Sequence, residues 1–165
     1  MTDDANKIQE LEAALVELKR RQDDDPIGHF VPYGPQLAFL NATADYKGAA
    51  ILGGNQGGKS HALAMLVAMV ATGKYCKGYK GWKPGKRAPL IWVIGETGES
   101  VRDSIQKKLF GAFKPYGGSG CLIREKDIVS ISTTRGVADT LDTVVLRNGS
   151  AISFKSYARG RGPLQ

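Results

Sequence analysis

Cysteine and histidine are scarce in this chain. Cys76 and Cys121 are the only thiols, and His29 and His61 the only imidazoles, among 165 residues. Neither cysteine has a second ligand at metal-site spacing, which excludes a zinc finger or ribbon. One cysteine pair is also too few for the disulfide framework of a small secreted domain. The thiols therefore read as reduced residues of a cytosolic protein. No Ser/His/Asp set stands out, so nucleophilic hydrolysis has no support. No run of about 18 apolar residues is present, which excludes a membrane-crossing helix. The N-terminus, Met1-Thr2-Asp3-Asp4, is acidic and lacks the basic-then-apolar order of a signal peptide. There are no internal repeats.

Positive charge, by contrast, is plentiful and unevenly placed. The net charge is +7. Residues 1–46 hold four Lys/Arg against nine Asp/Glu, giving −5, and residues 47–165 hold nineteen against seven, giving +12. A basic body behind an acidic leader suggests a polyanionic partner for the body. The length suits one domain, and 42% hydrophobic residues suffice for a core. The chain divides into an amphipathic helix with an acidic linker, 1–25, and a body, 26–165.

The sharpest motif is Gly53-Gly54-Asn55-Gln56-Gly57-Gly58-Lys59-Ser60, which matches G-x-x-x-x-G-K-[ST] at every fixed position. The apolar stretch 48–52 before it reads as a buried strand, and 60–70 after it as a buried helix. This is the context a phosphate-binding loop requires. Glycines let the backbone approach phosphates and reach positive φ. Successive N–H groups form an anion nest at the positive end of the helix dipole. Lys59 would reach the β- and γ-phosphates of ATP as the catalytic cation, and the Ser60 hydroxyl would ligate Mg²⁺. Gly53, Asn55, Gln56, Gly57, Gly58, Lys59, Ser60 and His61 are the candidate nucleotide contacts, with the His61 ring on the helix surface rather than serving as a base. The alternative is a glycine-rich turn that binds nothing.

Around this motif the pattern is mixed α/β. Residues 5–22 read as a helix with Ile8, Leu11, Leu15 and Leu18 spaced as an a/d seam of about two heptads. That seam either docks on its own domain or meets another copy or partner. A linker at 23–28 and a turn-rich aromatic stretch at 29–36 lead to a short helix over 36–44. Residues 73–87 carry Lys74, Lys77, Lys80, Lys83, Lys86 and Arg87 with no acid, interleaved with Tyr75, Tyr79 and Trp82. Their glycines and Pro84 predict a long loop. Lysines neutralise phosphates and aromatics stack on bases, so these six cations are the candidate nucleic-acid contacts. The alternative is a solvated loop anchored by its aromatics. Residues 89–95 read as a central parallel strand. Ser100 is a candidate cap for a helix to about 110, and 128–132 reads as a strand. Residues 143–147 and 151–155 flank Asn148-Gly149-Ser150, the strongest hairpin signal in the chain.

The order of these residues resembles the N-terminal ATPase domain of the large terminase subunit, the motor that packages DNA into the heads of tailed phages. Tyr33-Gly34-Pro35-Gln36 lies where that family has an adenine-contacting glutamine. The phosphate loop is similar to the family's G-N-[RQ]-x-G-K-[ST]. Thr72-Gly73-Lys74-Tyr75 with Gly81-Trp82 resembles its T-G-x-Y-P…W-x-G stretch. Trp92-Val93-Ile94-Gly95-Glu96-Thr97 with Val101-Arg102-Asp103 resembles its second strand and helix. Ile152-Ser153-Phe154-Lys155-Ser156-Tyr157 resembles the strand that precedes its acidic Walker B strand. The resemblance covers about 30–160.

The resemblance implies a RecA/ASCE-like P-loop NTPase fold, a mostly parallel sheet flanked by helices. Here that fold is incomplete, with an N-terminal amphipathic helix and a C-terminal β-hairpin. It also implies an Mg²⁺-dependent ATPase with Gln36 at the adenine edge. Duplex DNA, the capsid portal, the small terminase subunit and other copies of the chain are the implied partners. No membrane is involved, and the site of action is the host cytoplasm, at the procapsid.

The chain departs from the family pattern in three places. Tyr75-Cys76 replaces Tyr-Pro. Gln56 stands where many relatives have an arginine, whose charge Arg159 or Arg161 could supply. No apolar strand in 1–165 ends in the Asp-Glu pair that holds Mg²⁺ and activates water, and no nuclease domain is present. The chain reads as the front part of a longer protein or as a truncated product. Other readings are a helicase or RecA-like ATPase, a small-molecule kinase (for which +12 over the body has little use), and a non-catalytic fragment that binds nucleotide or recruits partners.

Overall fold

A computed structural model describes residues 2–54, 57–134 and 138–157, with the backbone alone for 2–5. Helix α1 (Thr2–Asp24) leads through a turn into α2 (Gly34–Ala42), which starts with Pro35 in its first turn, where a missing N–H costs nothing. Helix α3 (Lys59–Thr72) follows the glycine loop and ends at Gly73, whose φ of +73° and N–H bond to the Met69 carbonyl (2.9 Å) form a left-handed cap. Strand β1 (Leu90–Gly95) enters a helix in three parts: α4 (Gly98–Val101), a π turn (Arg102–Gln106) and α5 (Lys107–Phe110). A short 3₁₀ turn (Glu125–Asp127) then opens β2 (Ile128–Thr133), followed by β3 (Leu141–Leu146) and β4 (Ala151–Ser156). No described helix is long and apolar enough to cross a membrane.

The four strands lie in the order β1-β4-β3-β2. The hairpin signal is borne out. β3 and β4 pair antiparallel with Val144 opposite Ile152, and Gly149 takes the φ of +85° that the turn requires. β2 adds antiparallel to β3, and β1 adds parallel to β4, Val93 opposite Phe154. One parallel and two antiparallel pairings correct the expectation of a mostly parallel sheet. Two of the three connections here are too short for the dozen or more residues that a parallel crossover needs. The order also corrects the placement of β1, which among the described strands lies at the sheet edge and not in its centre. Leu90, Trp92 and Ile94 are exposed while Val93 is buried, so one face of this apolar strand is uncovered.

The core joins Ala62, Met65, Ala68 and Met69 of α3 to Leu109 and Phe110 of α5 and to the inward side chains Val144, Ile152 and Phe154 of the sheet. Alanines on α3 let it approach its neighbours closely. Gln106, fully buried in the π turn, donates to the Asp139 carbonyl (2.7 Å) and accepts from Leu141 N–H (3.0 Å). It thereby ties the helix to the start of β3. Ser100 is not the N-cap of that helix. Thr97 caps it, accepting from Ser100 N–H (3.0 Å), while the Ser100 hydroxyl returns to Thr97 as the third residue of a capping box.

Candidate phosphate-binding site

The loop sits where the sequence places it, at the N-terminus of a helix of 14 residues, but the strand expected before it is not formed. Residues 48–52 pair with no strand, and Leu52 is 93% exposed. The buried strand is thus corrected to an irregular approach, exposed except at Ile51, which is half-buried and packs against the core. Apolar residues alone do not make a strand, because its backbone needs a ladder partner and none of the described strands lies beside it. The helix after the loop is buried as expected.

Gly58 is the N-cap of α3 at φ +69°. The bond from Ala62 N–H to the Gly58 carbonyl (2.9 Å) is the first of the helix ladder, so the amides of Lys59, Ser60 and His61 have no carbonyl one turn earlier within α3. Gly57 N–H turns back to the Gly54 carbonyl (3.4 Å), which curls the loop. Lys59 reaches back over this curl, its Nζ donating to the carbonyls of Gly53 (2.7 Å) and Gly54 (2.5 Å). Ser60 is exposed on the first turn. The loop members Asn55 and Gln56, together with Arg159 and Arg161, lie outside the described residues.

A second layer holds the loop from behind. The Tyr33 hydroxyl donates to the Gly57 carbonyl and the Gln36 amide to the Gly58 carbonyl (3.2 Å), while Tyr33 N–H donates to Gln36 Oε1 (3.4 Å). Gln36 is only 4% exposed. A Cβ on Gly58 would come within 2.7 Å of Gln36 Nε2, so a larger residue there must both displace that amide and hold a left-handed φ. Sequence reasoning missed the Tyr33 hydroxyl. Its target lies 24 residues away and no periodicity connects them. His61 packs its ring edge-on against Phe30 (5.3 Å), and burial together with the charge of Lys108 pushes its pKa below the ordinary 6.5. The ring is therefore neutral at pH 7 and turned to the protein, which leaves the His61 main-chain N–H facing the loop end of the helix.

The basic stretch is irregular, as expected, yet it is pinned. Asn41 accepts from Lys80 N–H (2.7 Å) and donates to the Gly78 carbonyl (3.3 Å), and Thr43 accepts from Trp82 N–H (3.0 Å). Gly81 passes so close to the Leu40 carbonyl that a Cβ would meet it at 2.3 Å. Tyr75 and Tyr79 stack at 5.1 Å, Lys83 sits over the Tyr75 ring at 4.7 Å, and Lys74 lies 3.8 Å from Asp127. Thus Tyr75 and Tyr79 serve the protein itself, and the remaining cations, Lys77, Lys80, Lys86 and Arg87, are exposed. Lys86 and Arg87 line an open groove with Tyr75 and the hairpin residues Asn148 and Ser150.

A chain with this loop and this order of elements can be set beside known proteins. It is 32% identical to the terminase large subunit of Salmonella phage P22, over an alignment of 186 positions that takes in 97% of this chain and 37% of that protein. The chain is related to the terminase large subunits. It spans little more than a third of that relative's length. No protein-family model and no solved structure matches it.

Nucleotide chemistry suits the donor set of this terminase relative. The first-turn amides and the Lys59 ammonium both lie at the N-terminal end of α3, a donor set that suits an anionic group. Among the described residues no cluster of three His, Cys, Asp or Glu side chains could hold a metal by itself. Among the described residues of the loop Ser60 is the candidate ligand, and a cation there would share its coordination with phosphate oxygens.

Proposed function

We propose that this chain is the ATP-binding part of a terminase large subunit, a P-loop motor ATPase that drives viral DNA into the procapsid in the host cytoplasm. One observation carries the proposal: in a relative of a terminase large subunit, Lys59 curls over a glycine loop at the positive end of a long helix. In this reading Lys59 leaves the carbonyls of Gly53 and Gly54 for the β- and γ-phosphate oxygens of ATP. The amides of Gly58 to His61 bind the same anion, and Ser60 orients Mg²⁺. Bound Mg²⁺ would supply charge neutralisation at the phosphates. Gln36, which already holds Gly58, has one N–H and one lone pair left for an adenine edge. Lys77, Lys80, Lys86 and Arg87 would contact duplex DNA, and the portal and small subunit would be the protein partners.

No Asp-Glu pair occurs within 1–165, so these residues do not supply the acidic pair that would hold Mg²⁺ and activate water. This chain alone would bind ATP weakly at best and hydrolyse it slowly or not at all. Titration with a fluorescent ATP analogue tests the proposal. Lys59→Ala is expected to weaken binding by at least about tenfold, the loss of one charge-assisted contact, with little change in melting temperature. Equal affinity of the two proteins would refute the nucleotide reading.

A further inference from the structure

Helix α1 is not used by the phosphate site. Its seam of Ile8, Leu11, Leu15 and Leu18 is between 52% and 64% exposed, a continuous apolar stripe on a helix of 23 residues. The opposite side is finished in itself. Glu17 pairs with Arg20 (2.8 Å) and Arg21 (2.9 Å), and Arg20 with Asp24 (3.0 Å), all one turn apart. These pairs hold the Glu17 carboxyl near a pKa of about 2 and support the helix without touching the seam.

The joint at the end of α1 directs the stripe outward. Ile27 is buried in the core, Asp25 accepts from Gly28 N–H (3.1 Å), and Ser119 donates to Asp23 (2.8 Å). A Cβ on Gly28 would fall 2.2 Å from Asp25 Oδ2, so the turn is tightly closed. Folding the seam back on the body would require breaking this joint. What covers the seam must come from outside.

Charge selects the occupant. With Ile8 and Leu15 at a, and Leu11 and Leu18 at d, Lys7 falls at g and Glu12 at e. Two copies side by side and parallel bring Lys7 of each against Glu12 of the other. Two copies antiparallel with the seam fully overlapped bring Glu12 against Glu12, and Lys7 against Arg21. We infer that α1 pairs in parallel with α1 of a second copy of this chain. Two heptads make a marginal pair in free solution. Copies held on one assembly meet at effective concentrations on the order of mM, where such a pair forms.

Sedimentation velocity of the whole chain over a concentration series tests this, with circular dichroism to verify folding. The wild-type protein is expected to shift from monomer towards dimer as concentration rises, and Leu11→Lys with Leu15→Lys to abolish the shift. Glu12→Lys, which turns two cross-pairs repulsive, is expected to weaken association roughly five- to tenfold. Adding Lys7→Glu to it should restore association to near the wild-type level. A chain that stays monomeric into the mM range, an association that survives the two lysines in the seam, or a charge swap that fails to restore it would each overturn the inference. None of these results bears on ATP binding, so this proposal and the nucleotide reading stand or fall separately.

Discussion

The two flanks of the phosphate loop have similar apolar content and opposite fates. Residues 60–70 after it are buried on most sides within α3, whereas residues 48–52 before it are irregular and, apart from the half-buried Ile51, exposed. A helix satisfies its backbone internally and needs only a surface to bury its side chains against. A strand of the same hydrophobicity must find a neighbour for its N–H and C=O groups before burial has any effect. The described sheet ends at β1, and residues 48–52 do not pair with that edge. Hydrophobicity indicates which segments gain from burial, while the pairing partner decides whether a strand can form.

Truncation on the two flanks should separate them most strongly. Met69→Ala, in the closed core of α3, is expected to cost about 2–5 kcal/mol in urea unfolding. Leu52→Ala, at 93% exposure, is expected to stay within about 0.5 kcal/mol. A Leu52→Ala cost comparable to that of Met69→Ala would mean that Leu52 is packed in solution, and the contrast would fail.

The two ends of the loop give a smaller effect of the same kind. Gly58→Ala is expected to destabilise by about 1–2 kcal/mol, because a left-handed φ must be held by a residue with a Cβ, and contact with the Gln36 amide adds to it. At Gly53 the nearest atom to an added Cβ is Lys59 Cδ at 3.9 Å, so Gly53→Ala should be nearly neutral. Equal costs at the two positions would show that Tyr33 and Gln36 do not grip the Gly58 end in solution.

Local signals in the sequence were legible where the structure is local. The seam of α1, the Asn148-Gly149 turn and the strand at 128–132 each rest on residues within one element, and each is found. The loop motif likewise appears at a helix N-terminus. Sheet direction was not legible, because which strands become neighbours is settled across the whole chain. That is why β1, continuous in apolar residues, reads as central and lies at an edge. Equally hidden were Tyr33, Asn41, Thr43 and Gln106. Each acts by one or two side-chain bonds to backbone 24 to 39 residues away in sequence, and such bonds leave no periodic trace.

The smallest expected effect concerns pH on the buried flank. The His61 ring is held below its ordinary pKa of 6.5 mainly by burial and further by Lys108. Between the depressed folded value and 6.5 the unfolded chain binds the proton and the folded chain does not. Stability therefore rises with pH through this window, is fully present above about 6.5, and is lost as pH falls through the folded value. Urea unfolding across that range should show a shallow slope that His61→Gln removes while the upper plateau is otherwise kept. Retention of the full slope in His61→Gln would assign it to another group and would place the ring in water. The well-built flank would then be more open at its first turn than its contact with Phe30 indicates.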